Sequence, residues 1–344
     1  MGNTLHSSDS EGTALHGSSD SDDAGHLAPS DWDSVVKTDP YFAQERIMRV
    51  RKSLGLDTPS LAPMLENSEF ISVGCYCGVA LTLESMGLRK AAYPFDWVRA
   101  PIEGILECLE TEFEDFLSFE RIQPGQGGQK FFFDTSWGGS FWHHDIEDEG
   151  ARETFARRID RFLGIDRQDD SNSRFFIHVA NSVEELSSTP ALLSALQELT
   201  PATPVFLLVI IDLQKRDCLM RAQNESPNLL FYTVQEDLWK YPSDDWIEQR
   251  HRNVDTYSVG VGAALRFWNQ SHRSAKESVR SFSNLAQLEA IMVPFDGGEC
   301  THELYKPVFT METNGKDASE EILKQTCSQQ VAKTSFQKSQ LLCA

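Results

Sequence analysis

Two short apolar runs constrain the fold of this 344-residue chain more than any other feature. Arg174 to Val179, apolar but for Arg174 and His178, and Val205 to Ile211 are too short for helices and do not alternate, the pattern of strands buried on both faces. Between them, near Ala191 to Leu199, apolar residues recur at helical spacing. Strand, helix, strand in that order predicts a βαβ unit, in which a helix crosses over a parallel pair. The expected class is α/β (or α+β), a single mixed-sheet domain with flanking helices.

The remaining pattern fits that frame. Tyr41 to Leu54 reads as an amphipathic helix stopped by Gly55, Phe70 to Val73 as a strand, and Gly78 to Met86 as a helix closed by Gly87. Ile102 to Leu117 reads as a helix entered through Pro101. Lys130 to Phe133 and Ser140 to His144 flank Trp137-Gly138-Gly139 as a hairpin, and Arg152 to Leu163 is helical with Phe155, Ile159 and Phe162 on one face. Leu229 to Thr233 and Ala290 to Val293 are further strand candidates, and Val259 to Trp268 a helix. The predicted organisation is an acidic, Ser/Gly-rich disordered tail over 1–36, a helical lead-in over 37–66, the α/β domain over 67–300 and a polar tail over 301–344.

Charge narrows the partners. The chain carries 52 acidic against 31 basic residues, a net −21, and residues 1–36 hold seven acids and no Lys or Arg. A segment so polar buries too little surface to offset its ordering entropy. The acidity argues against nucleic acid, whose phosphates it would repel. No apolar run approaches the roughly 20 residues that span a bilayer. Seven cysteines, an odd number in a long chain, imply no disulfide framework. A cytoplasmic location is expected. Gly2 after Met1 is the position acylated in N-myristoylation, which would add peripheral membrane association, although His6 stands where that pattern takes Ser or Thr.

The chemistry concentrates at Ile71-Ser72-Val73-Gly74-Cys75-Tyr76-Cys77-Gly78. A strand runs through a Gly turn and delivers Cys77 to a helix start, where unpaired N–H groups and the helix dipole favour a thiolate over a thiol. Taken alone, the same stretch fits a buried structural cysteine, among the commonest buried residues, better than a reactive one. A second candidate is Phe141-Trp142-His143-His144-Asp145, where an imidazole near Cys77 would serve as base. If that segment is a strand, only one of His143 and His144 faces a given site. The alternative there is an aromatic hairpin tip with exposed histidines. A metal site is not expected, because Cys75-x-Cys77 lacks the usual ligand spacing. In Tyr93-Pro94-Phe95-Asp96-Trp97 the carboxylate between aromatics is either a buried clamp or a third catalytic residue. Asn181 and Asp212, just past two predicted strands, are alternatives for that third role. No Gly-rich phosphate loop occurs, so no cofactor is expected.

Several of these pieces, taken in order, resemble a known family. Ser72-Val73-Gly74 with Cys77, Gly87-Leu88-Arg89, Phe95-Asp96-Trp97, His144-Asp145 and Arg157-Arg158-Ile159-Asp160-Arg161-Phe162 are similar to the motifs of a family described as papain-like cysteine peptidases, over about 67–235. The resemblance implies Cys77 as nucleophile and His144 as base, with Asp96, Trp97 and Asp145 as supporting motif residues. Two departures from papain itself stand out. The Cys-Gly-Ser/Ala-Cys-Trp/Tyr signature is absent, and Ile71 occupies the place of papain's oxyanion-hole glutamine, so the Cys77 N–H with Ser72 Oγ would have to serve instead. The implied activity is a cysteine hydrolase or acyltransferase working on a peptide or other acyl substrate through an acyl-enzyme. The alternative is a catalytically inactive interaction protein of the same fold, using its acidic tail as a binding or tethering arm.

Overall fold

The computed structural model describes residues 39–74, 76–125, 128–165, 173–235, 246–269 and 279–294. The acidic N-terminal segment with Gly2, Cys75 and the polar segment 301–344 lie outside the described residues. In chain order the elements are α1 (Gln44–Ser53), α2 (Ala62–Asn67), β1 (Glu69–Ser72), α3 (Gly78–Ser85), β2 (Val98–Arg99), α4 (Ile102–Glu110), β3 (Arg121–Pro124), β4 (Lys130–Phe133), β5 (Ser140–Phe141), α5 (Glu149–Leu163), β6 (Arg174–Val179), α6 (Thr189–Leu199), β7 (Val205–Gln214), β8 (Cys218–Ala222), β9 (Leu229–Gln235), α7 (Trp246–Trp268), β10 (Arg280–Phe282) and α8 (Leu285–Glu289).

The βαβ expectation holds. β6 and β7 pair in parallel, Arg174 opposite Val205 and Val179 opposite Ile210, with α6 as the crossover. They lie inside a six-stranded sheet ordered β1-β6-β7-β9-β8-β10, in which only the β8–β9 pair is antiparallel. Its central strands are buried on both faces, which explains the apolar stretches Phe175 to Ile177 and Val205 to Ile211. Alternate residues feed two cores. Phe176, Leu207, Val209 and Ile211 pack toward α4, α5 and α6, whereas Phe175, Ile177, Leu208 and Ile210 pack toward α3 and α7. The result is a three-layer α/β/α arrangement.

A second sheet supplements the single one expected. β2, β5, β4 and β3 form a small antiparallel sheet. Its inner residues Phe132 and Phe141 join an aromatic cluster with Phe95, Phe116, Trp137 and Phe155. Three local expectations are corrected. The helix from Ile102 stops at Glu110 because Glu112 and Phe113 adopt left-handed backbone angles, φ 51° and 64°. The strand from Ser140 stops at Phe141, so His143 and His144 lie on an irregular turn where strand alternation does not apply. Ala290 to Val293 is no strand. Its first residue caps α8, and the last strand of the described residues is Arg280–Phe282.

Candidate active site

The three parallel strands β1, β6 and β7 end on the same edge of the sheet, and most of the candidate residues gather there. Open α/β sheets place ligands at this carboxyl edge. β1 leaves the sheet through Gly74, whose φ of +85° suits glycine, and a Cβ there would sit 2.9 Å from that of Ala100. The chain then turns through Tyr76 and delivers Cys77 to the N-cap of α3, with its carbonyl accepting from the Leu81 N–H at 3.0 Å. The Cys77 residue is half-buried. It packs against a small cluster of Phe42, Leu81, Trp97 and Val254. The amides of Gly78, Val79 and Ala80 begin the helix and have no partner one turn earlier within it.

The two histidines part company after β5. The His143 ring meets the buried Trp97 edge-on at 5.6 Å between centroids, and Trp97 belongs to the cluster against which Cys77 packs. His144 is buried against Phe155 at 5.1 Å, and its Nε2 lies 3.4 Å from Arg158 Nη1. A guanidinium only donates, so Nε2 is the acceptor and the neutral ring carries its proton on Nδ1. Asp145 turns outward to Lys130 Nζ at 2.8 Å and accepts the Glu147 N–H.

Asp96 is 1% exposed and grips Arg89 through two contacts of 2.7 and 3.0 Å while accepting the Tyr93 N–H at 2.9 Å. Burial pushes its carboxyl upward, opposed chiefly by the Arg89 charge. Arg89 also lies over Trp97 at 5.9 Å. The Gly-Leu-Arg and Phe-Asp-Trp segments are thus two halves of one buried ion pair, which seats Trp97 beside Cys77. Ser72 is fully buried and its Oγ has no hydrogen-bond partner among the described residues. Asn181 donates its backbone N–H to Glu185 Oε2 at 3.0 Å, and its Nδ2 lies 3.4 Å from the Ala100 carbonyl. Asp212 is buried at the end of β7 and accepts the Tyr257 hydroxyl at 2.5 Å.

Sequence reasoning missed a buried pair behind the Cys77 turn. His178 Nδ1 lies 2.9 Å from the Val73 carbonyl and Nε2 lies 3.3 Å from Glu185 Oε2. The carbonyl accepts, so Nδ1 carries hydrogen. A histidine inside an otherwise apolar strand was the available signal. Among the described residues no group of three or more His, Cys, Asp or Glu could hold a metal ion, and no helix is long and apolar enough to cross a membrane.

Comparison with known proteins agrees with these motifs. Residues 68–215 match the sequence model of the family described as "Putative papain-like cysteine peptidase". The matched stretch contains β1, the Cys77 turn, both histidines, the Arg89–Asp96 pair and β6 through β7. The chain is also 28% identical over 130 residues to Uncharacterized protein R408 of Acanthamoeba polyphaga mimivirus, which covers 30% of this chain and 58% of that protein. The match therefore spans less than two thirds of the relative's length. No solved structure matches the chain significantly.

Proposed function

We propose that the protein is a thiol-dependent hydrolase or acyltransferase in which Cys77 attacks the carbonyl of a peptide or other acyl substrate. The observation that carries this reading is the seat of Cys77: half-buried, on the N-cap of α3, at the carboxyl edge of the sheet and against the cluster that contains Trp97. The first-turn amides favour the thiolate and are suited to hold the oxyanion that forms when sulfur adds to the carbonyl. The Ser72 hydroxyl is fully buried, which leaves the backbone amides as the better donors. An imidazole of the His143–His144 turn takes the thiol proton and returns it to the leaving group, after which water or a second nucleophile resolves the thioester. Its position on Trp97 favours His143 for this step, whereas Arg158 occupies Nε2 of His144, the base implied by the family motif. Arg89, Asp96 and Trp97 hold the site together, and Asp145 belongs to its rim.

Iodoacetamide labelling of the folded protein near pH 6 tests this. Cys77 should react well ahead of Cys108, which is buried and whose thiol is pushed far up by that burial, and ahead of Cys218. His143→Ala should slow Cys77 labelling more than His144→Ala. Equal or absent labelling of Cys77 would sink the catalytic proposal and leave the non-enzymatic interaction protein as the reading.

A further inference from the structure

Tyr76, just before Cys77, reaches into the protein. The Tyr76 hydroxyl donates to the Tyr257 hydroxyl of α7 at 2.8 Å, and that hydroxyl donates to Asp212 Oδ2 of β7 at 2.5 Å. Tyr76 is half-buried, Tyr257 is fully buried and Asp212 is 4% exposed, so the chain of hydroxyls runs from the surface turn to the sheet interior. Asp212 Oδ1 has no hydrogen-bond partner among the described residues. The turn is shaped around this contact. A Cβ on Gly78 would lie 2.5 to 2.7 Å from the Tyr76 ring, so glycine there lets the ring fold back over the start of α3.

We propose that Tyr76, Tyr257 and Asp212 form a hydroxyl relay that holds the Cys77 turn in its reactive position, making all three positioning residues for the thiol. This rests on Cys77 being the nucleophile. The polarity of the relay depends on one proton. With Asp212 ionised, both hydroxyls must point inward, and the charge strengthens the bond from Tyr257 and polarises the one from Tyr76. With Asp212 protonated, the carboxyl is itself a donor, the inward polarity is no longer enforced and Tyr76 is held less firmly. α7 contributes Tyr257 as the titratable partner of Asp212. Its strand neighbours are uncharged: Thr233 of β9 pairs with Ile211, the Ala180 amide donates to the Ile210 carbonyl, and the Gln214 amide donates to the Asp212 carbonyl. Burial carries the Asp212 carboxyl up to about 7, which puts the change near neutrality.

Hydrogen exchange of the amides of Tyr76 to Val79, corrected for intrinsic rates, tests the relay in the full chain, with β7 amides as an internal reference for global stability. In the wild type, protection of the turn should rise with pH through about 7. Tyr76→Phe should lower it about fivefold at pH 8, the worth of one ordinary hydrogen bond, and Asp212→Asn should flatten its pH dependence without a matching change in β7. A flat wild-type profile, or wild-type behaviour in both variants, overturns the proposal. Should Asp212→Asn fail to fold, the wild-type profile and Tyr76→Phe still decide it. Cys77 labelling in the same samples separates the two ideas. Loss of the turn's pH response in the variants with Cys77 no faster than Cys218 keeps the relay and removes the catalytic reading. Fast Cys77 labelling beside a flat wild-type profile does the reverse.

Discussion

Asp212 should make the folding stability of this protein fall as pH rises through the weakly acidic range. The carboxyl is buried, its side-chain partner among the described residues is the Tyr257 hydroxyl, and burial carries it up to about 7. In the unfolded chain it returns to the ordinary value of about 3.9. Between about pH 4 and pH 7 the folded state therefore keeps a proton that the unfolded state has lost. The sign follows: this stability is fully present below about pH 4, declines by about 1.4 kcal/mol per pH unit, and is gone above about 7. The full change is about 4 kcal/mol, a large share of the 5–15 kcal/mol that typical domains possess. Asp212→Asn keeps the shape and an oxygen to accept from Tyr257 but cannot ionise. Urea unfolding of both proteins at intervals from pH 4.5 to 8.5 isolates the effect, since the other carboxylates cancel in the difference. Wild type minus variant should fall by a few kcal/mol across that range. A difference constant within about 1 kcal/mol, or one that rises with pH, would refute the reasoning.

Other outcomes follow from contacts of contrasting burial. Asp96→Ala removes the carboxylate that pairs with the buried Arg89 at 2.7 Å, so unfolding midpoints should report a loss of about 3 kcal/mol. Arg121→Ala removes a half-exposed pair with Asp134 and should cost less than about 1 kcal/mol in the same assay. Gly74→Ala forces a side chain into a left-handed backbone and onto Ala100, so it should destabilise by at least about 1 kcal/mol and slow Cys77 alkylation by displacing the turn. A fully stable, fully reactive Gly74→Ala protein would contradict the role given to that turn.

Much of the frame was legible in the sequence. The runs at Arg174–Val179 and Val205 to Ile211 announce doubly buried strands, because a strand covered on both faces has no reason to alternate. Cys77 at a helix start was readable from strand, glycine and following helix, since those signals are local. What failed was local pattern overruled by packing. Ile102 to Leu117 has helical periodicity throughout, yet Phe113 and Phe116 turn into the aromatic cluster and end the helix at Glu110. His143 and His144 are neighbours in sequence and indistinguishable by type. Only the fold sends one to Trp97 and the other to Arg158.

The sequence by itself determined the α/β class, the parallel β6–β7 unit and the place of Cys77 at the entrance of α3. These depend on periodicity and turn chemistry within a few residues. The tertiary structure decided the partners: Arg89 with Asp96, His178 with Glu185, and Tyr76 through Tyr257 to Asp212. The last of these joins residues 136 positions apart in its first and third members. Buried polar groups must be satisfied wherever a partner can be found, and the chain's path through space, not its local pattern, determines where that is.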